Sequence, residues 1–297
     1  MASLDITKII ALIENYFVPC QPHIRKELEQ VLKNPHVSHE AVVTLVKKDV
    51  SIAAAVLQIT NTPAFKSRAI TQKPVVFLDD AVARLGNVHL QRLIATLGAR
   101  DDYRHMDHYR FDSFWDGALD AAVAAAALAR QLGCASPDEA YMLGLFRDCG
   151  IPILLQAFPQ YYKEVLLTAN QRPLNDLPSI EDKYLGINHQ TVGYAIAQHW
   201  SLPEVISRAI LTHHDIEPPS NTDHSLTIKK NTLVALVQVA ERISLRFRAI
   251  DYQNSNLQGQ EWLSFDPRIA EHLNLDIDDL KNLMLDTLDH MEELLGL

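Results

Sequence analysis

The sequence predicts an all-α protein of about fifteen helices, and three observations carry that expectation. Apolar residues recur at spacings of three and four through most segments. Helix starts and stops follow each other closely, with Ser, Asp or Pro opening segments and Gly or Pro closing them. No stretch alternates apolar and polar residues as a half-buried strand would, and no fixed-period repeat is present.

Each element has its own signal. Ile6, Ile9, Ile10, Ile13 and Phe17 form a first apolar stripe, ended by Pro19. A second helix spans 23–33 and closes at Asn34-Pro35. Ser38 opens a third, carrying Ala41, Val42, Leu45 and Val46. Asp49 caps a fourth with Ile52, Val56, Leu57 and Ile59. Residues 61–78 read as a polar, irregular loop. A short helix follows over 79–86, with Asp79 and Asp80 at its start and Gly86 as its stop. The next helix runs from Val88 to Arg100, and the polar, aromatic segment 101–111 divides the chain into two halves.

From 112 to 133 the composition turns to Ala, and small side chains let neighbouring helices approach closely, so this is the expected central helix of the second half. Further helices are expected over 138–149, from Pro159 onward, and over 176–185, 189–199 and 203–213. A loop at 216–226 precedes helices over 229–248, 267–273 and 276–295. Three units result: an N-terminal helical subdomain over 1–108, a helical core over 109–250 and an acidic C-terminal helical extension over 251–297.

Composition narrows the function. The net charge of -10 is concentrated in residues 251–297, which hold eleven acidic and two basic side chains. The rest is nearly neutral and has no basic stripe, which argues against nucleic acid as a partner. The longest apolar run, Ala121 to Ala129, is too short to cross a bilayer, and the N-terminus lacks the pattern of a signal peptide. A cytoplasmic protein is expected, with no membrane partner. Cys20, Cys134 and Cys149 show no metal or disulfide spacing and read as reduced core thiols.

The chain is organised around Tyr141 to Gly150. This stretch is apolar except for adjacent Arg147 and Asp148, and Gly150 and Pro152 end the helix just beyond. A buried charge without a partner costs several kcal/mol, roughly, so other polar groups should meet this pair. Three more helices of the second half each place one ionisable group on a face that otherwise reads as core. His189 lies with Val192, Gly193 and Ile196; His213 follows Val205, Ile206, Ala209 and Ile210; Glu241 follows Val234 and Val237. If Asp148, His189, His213 and Glu241 converge, they offer oxygen and imidazole donors for a divalent metal. The competing expectation is a metal-free polar core satisfied by hydrogen bonds. The sequence favours that network, with no cofactor and a divalent metal as the alternative. His105 with His108, and His36 with His39, read as solvated positions. No Gly-x-Ser-x-Gly elbow and no Gly-rich phosphate loop is present.

Several of these stretches, in this order, resemble the HDOD domain, a degenerate bacterial relative of the HD phosphohydrolases. They are Leu45 to Ser51, Leu57 to Thr62, Leu78 to Gly86, Gly144 to Gly150, Ile187 to Gly193, Trp200 to Pro203 and the His213-His214 pair. The resemblance covers residues 22–245. It implies a helical HD-like fold and a metal scheme of a first His, a His-Asp pair and a later Asp. Here Gly117 falls where the first His would stand, Arg147 replaces the His of the pair, Asp148 is retained and Glu241 holds the last Asp position. Arg147 would bring a fixed positive charge to the metal's place.

The expected function is therefore a non-catalytic signal-transduction module that binds a protein partner or a small effector such as a nucleotide. Arg147, Asp148, His189 and His213 are its candidate ligand-binding residues, and no catalytic residue is assigned. The alternatives are a metal-dependent phosphohydrolase with altered ligands and a nucleotide sensor without turnover.

Overall fold

The computed structural model describes residues 6–62, 65, 75–100, 108–167, 177–216, 225–251 and 263–295. Among them are fifteen α-helices, a short π-helical segment and no strand.

The N-terminal helices are α1 (Ile6–Asn15), α2 (Pro22–Val31), α3 (His39–Lys47), α4 (Val50–Thr60) and α5 (Leu78–Arg100). The expected caps are in place: Ser38 accepts from the Ala41 N–H and Asp49 from the Ile52 N–H. Asp49 also accepts from the Gln21 N–H, so one fully buried carboxylate ties the starts of α2 and α4 together. Helix α5 is broken at Gly86, whose φ of 72° lies where glycine is favoured. Most of the 61–78 loop lies outside the described residues. Asn61 at its start accepts from the Val75 N–H at 2.8 Å and donates to the Val75 carbonyl at 2.9 Å.

The second half holds α6 (His108–Leu132), α7 (Pro137–Phe146), α8 (Ile151–Ala157) and the π-helical Tyr161–Leu166. It continues with α9 (Leu177–Leu185), α10 (His189–His199), α11 (Glu204–Thr212) and α12 (Ser225–Asp251). Helices α6, α7 and α12 pack on one another, α10 lies on α11, and α11 also packs on α7 and α12. Helix α6 begins at His108, inside the segment expected to separate the halves. Its alanines do what their size implies: a Cβ on Gly144 of α7 would lie 2.6 Å from the Ala122 Cα. Arg248 of α12 grips Asp120 of α6 with two N–H groups and reaches Asp116 at 3.3 Å. Between the halves, α1 packs on α8 and α10, Trp115 donates to the Pro19 carbonyl and Tyr141 to that of Lys47.

The C-terminal helices are α13 (Pro267–Leu273), α14 (Ile277–Asp289) and α15 (Met291–Leu295). Their acidic side chains face outward while Ile269, Leu280, Met284 and Met291 are fully buried against α12 and α6. No described helix is long and apolar enough to cross a membrane.

One cysteine departs from expectation. Cys20 and Cys149 are buried and outside any disulfide, but Cys134 is exposed beside Gly133, in the turn after α6. A thiol reagent should therefore modify one cysteine rapidly in the native protein and all three after unfolding. Partial burial raises the Cys134 thiol above its ordinary value, so the native labelling rate should still be rising beyond pH ~8.5. Fast labelling of two or three native thiols would contradict this burial pattern.

Candidate functional site

Helix α7 ends at Phe146, and the next two residues carry Arg147 and Asp148 into the interior between α6, α10 and α11. Gly150 fixes how closely the following turn meets α10, because a Cβ there would lie 2.2 Å from the His189 carbonyl oxygen. Helix α10 starts at His189 behind an Asn188 cap, and α11 ends just before His213. Three helix ends thus meet at one point.

Asp148, His189, His213 and His214 each place a donor atom there, all within 4.8 Å of one another. His189 Nε2 lies 3.4 Å from His213 Nε2 and 3.1 Å from His214 Nε2. Asp148 Oδ1 lies 3.3 Å from His213 Nε2 and 3.7 Å from His189 Nε2. A tetrahedral zinc with ligand bonds near 2.05 Å has donor–donor edges of about 3.3 Å, close to these four of the six spacings.

The hydrogen bonds behind the cluster fix which ring nitrogens face it. Glu181, fully buried on α9, accepts from the His189 backbone N–H at 2.9 Å and lies 2.6 Å from His189 Nδ1. A carboxylate only accepts, so Nδ1 carries the proton. Tyr161 donates its hydroxyl to the other Glu181 oxygen. His213 Nδ1 donates in the same way to the Ile210 carbonyl at 2.8 Å. In the neutral rings both Nε2 lone pairs therefore face the centre. His214 Nδ1 has no hydrogen-bond partner among the described residues.

Charge follows this geometry. Burial would raise the Asp148 carboxyl, but Arg147, the His213 hydrogen bond and the His213 and His189 charges hold it far below the usual range. Burial lowers His189, and Glu181 more than reverses this, with a net rise. Burial and the neighbouring His213 and His189 push His214 well below its ordinary value, which favours the neutral ring.

Arg147 completes the site. Its Nη2 lies 3.1 Å from Asp148 Oδ2, on the side of the carboxylate away from the imidazoles. Nη1 donates to the Gly144 carbonyl at 2.6 Å and Nη2 reaches the Gly117 carbonyl at 3.5 Å. Positions 117 and 147, two of those that the resemblance sets apart from the HD metal scheme, therefore touch each other.

Of the expected site residues, the structure brings together Arg147, Asp148, His189 and His213. Glu241 is not among the four converging donors, and His214 stands there instead. Glu241 is half-buried on α12, near enough for its charge to raise His189. His36 and His39 are exposed, His108 is the first residue of α6 and His105 lies outside the described residues. Sequence reasoning missed Glu181 and Tyr161.

An HDOD domain model matches residues 18–216, about two thirds of the sequence, and the chain belongs to that family. It is 28% identical over 214 residues to an uncharacterized protein from Treponema pallidum (strain Nichols), an alignment covering 71% of this chain and 40% of that one. The chain thus spans well under half the length of that curated relative. Among solved structures it resembles the MmoQ response regulator from Methylococcus capsulatus str. Bath, with a TM-score of 0.65 and 21% identity, covering 91% of this chain and 98% of that one. A virulence factor from Campylobacter jejuni subsp. jejuni has a TM-score of 0.59 and 15% identity, over 96% and 99% of the two chains. At these identities the likeness establishes the fold.

Proposed function

We propose that this chain is a non-catalytic, cytoplasmic HDOD regulatory module that transmits a signal by binding a protein partner or small effector. In this reading its core centre holds one divalent metal in a closed site. Asp148, His189, His213 and His214 would hold the ion, whose contribution is to cross-link three helix ends. The observation that carries the reading is the fourth protein donor. Catalytic zinc sites keep a position open for water, whereas four protein ligands close the sphere as in structural sites. Arg147 occupies the remaining side of Asp148, where a second ion or a phosphate would otherwise approach. The Methylococcus relative is described as a response regulator, and that description agrees with a signalling role.

Elemental analysis of protein purified without chelator, paired with a phosphoester turnover panel, tests the proposal. About one divalent metal per chain with no turnover is the expected result. Turnover that follows metal loading would replace this reading with the altered-ligand phosphohydrolase. A folded protein without metal would remove the metal from the proposal and leave Arg147–Asp148 as an ion-pair core.

A further inference from the structure

The four donors alone do not explain why His189 presents Nε2 to the centre. An imidazole in an apolar pocket can carry its proton on either nitrogen, and with the proton on Nε2 it would bond to His214 or His213 and lose its metal-binding lone pair. The groups behind the ring decide. We infer that Glu181, held by Tyr161, is the positioning residue of this centre: it locks His189 with Nδ1 protonated and Nε2 turned inward. This rests on the metal-binding reading of the site.

Four contacts carry the inference. Glu181 Oε2 takes two N–H groups of one residue, the His189 backbone at 2.9 Å and Nδ1 at 2.6 Å, so the ring is fixed relative to its own backbone. Glu181 Oε1 is held by the Tyr161 hydroxyl, which stops the carboxylate from turning away. Both Glu181 and Tyr161 are fully buried. The fourth contact is between helices: Gly150 abuts the His189 carbonyl, so the residue that Glu181 orients also sets the distance to the Asp148 turn. Tyr161 comes from the π-helical segment, an irregularity that is enriched at functional sites. Carboxylate-to-histidine hydrogen bonds of this kind orient metal ligands, and losing one weakens metal affinity by about 10–100-fold.

Two readouts on the full chain test it. The first is Co(II) affinity by chelator competition, with the ligand-field spectrum as signature. Glu181→Met removes both accepting oxygens and should weaken Co(II) binding by about 100-fold; Glu181→Gln keeps one acceptor and should lose about 10-fold. Tyr161→Phe should lose less than either. If Glu181→Met does not fold, the Gln and Phe variants carry the test. The second readout needs no metal: a slowly exchanging, downfield His189 Nδ1–H resonance in 15N-histidine-labelled protein. It should be present in the wild type, shifted in Glu181→Gln and absent in Glu181→Met. Wild-type Co(II) binding with folded variants unchanged in affinity and spectrum would overturn the positioning role alone. A wild type that binds no Co(II) yet shows the predicted resonances would refute the metal reading and uphold the positioning role.

Discussion

Gly150→Ala should destabilise the protein by about 3 kcal/mol, the upper end of what overpacking costs, and distort the His/Asp centre. The added Cβ would lie 2.2 Å from the His189 carbonyl oxygen and 2.9 Å from the Gly193 backbone nitrogen. Both obstacles are backbone of α10, so no side chain can rotate aside. The start of α8 must move away from α10, and His189 moves relative to Asp148. Gly144→Ala meets a similar obstacle in the α6 backbone. Gly117 is the control: it lies within α6, a Cβ there would meet nothing within 4 Å, and Ala should stabilise the helix by up to ~1 kcal/mol. Urea unfolding of the three variants reads the contrast. Equal midpoints for Gly150→Ala and the wild type would show that the α8–α10 seam is not as tight as these distances imply.

The fold is legible in the sequence because its boundaries are chemical. Ser38 and Asp49 cap helices where their hydroxyl or carboxylate is expected, and Gly86 breaks α5 where the sequence predicts a stop. The pattern over 276–295 predicts one continuous helix, but the structure divides it at His290, between α14 and α15. Three of the four converging donors are legible because an ionisable residue on an apolar stripe marks a helix face that meets polar company. Glu181 satisfies the same criterion, since Leu177, Ile180 and Leu185 share its stripe on α9. Applying the criterion to every helix would have found it. His214, four residues after Ile210, lies on the His213 stripe as well, so the same criterion extends to it. Glu241 fails because sharing a stripe gives direction along α12, and periodicity says nothing about the height at which α10 and α11 meet it.

Asp148→Ala should cost about 3 kcal/mol and abolish metal binding, and the two effects have separate causes. The proposed metal would lose the only oxygen donor among the four. Stability falls because Arg147, 5% exposed, keeps its charge with two backbone carbonyls and no carboxylate. Arg147→Met should therefore rescue folding in the Asp148→Ala background without restoring metal, with a coupling energy of about 1–3 kcal/mol between the two positions. Acid unfolding offers an independent check. The Asp148 carboxyl is held below its unfolded value of about 3.9, so its contribution is complete above that pH and is lost as pH falls through the lower, folded value. Below pH ~4 the wild type should lose stability more steeply than Asp148→Ala. Additive single variants and parallel acid profiles would mean that Arg147 and Asp148 are neighbours without being partners. A large coupling would instead explain how the chain keeps Asp148 among the four converging donors while filling the adjoining space with a guanidinium: Oδ2 is held by Arg147, and Oδ1 is left to face the imidazoles.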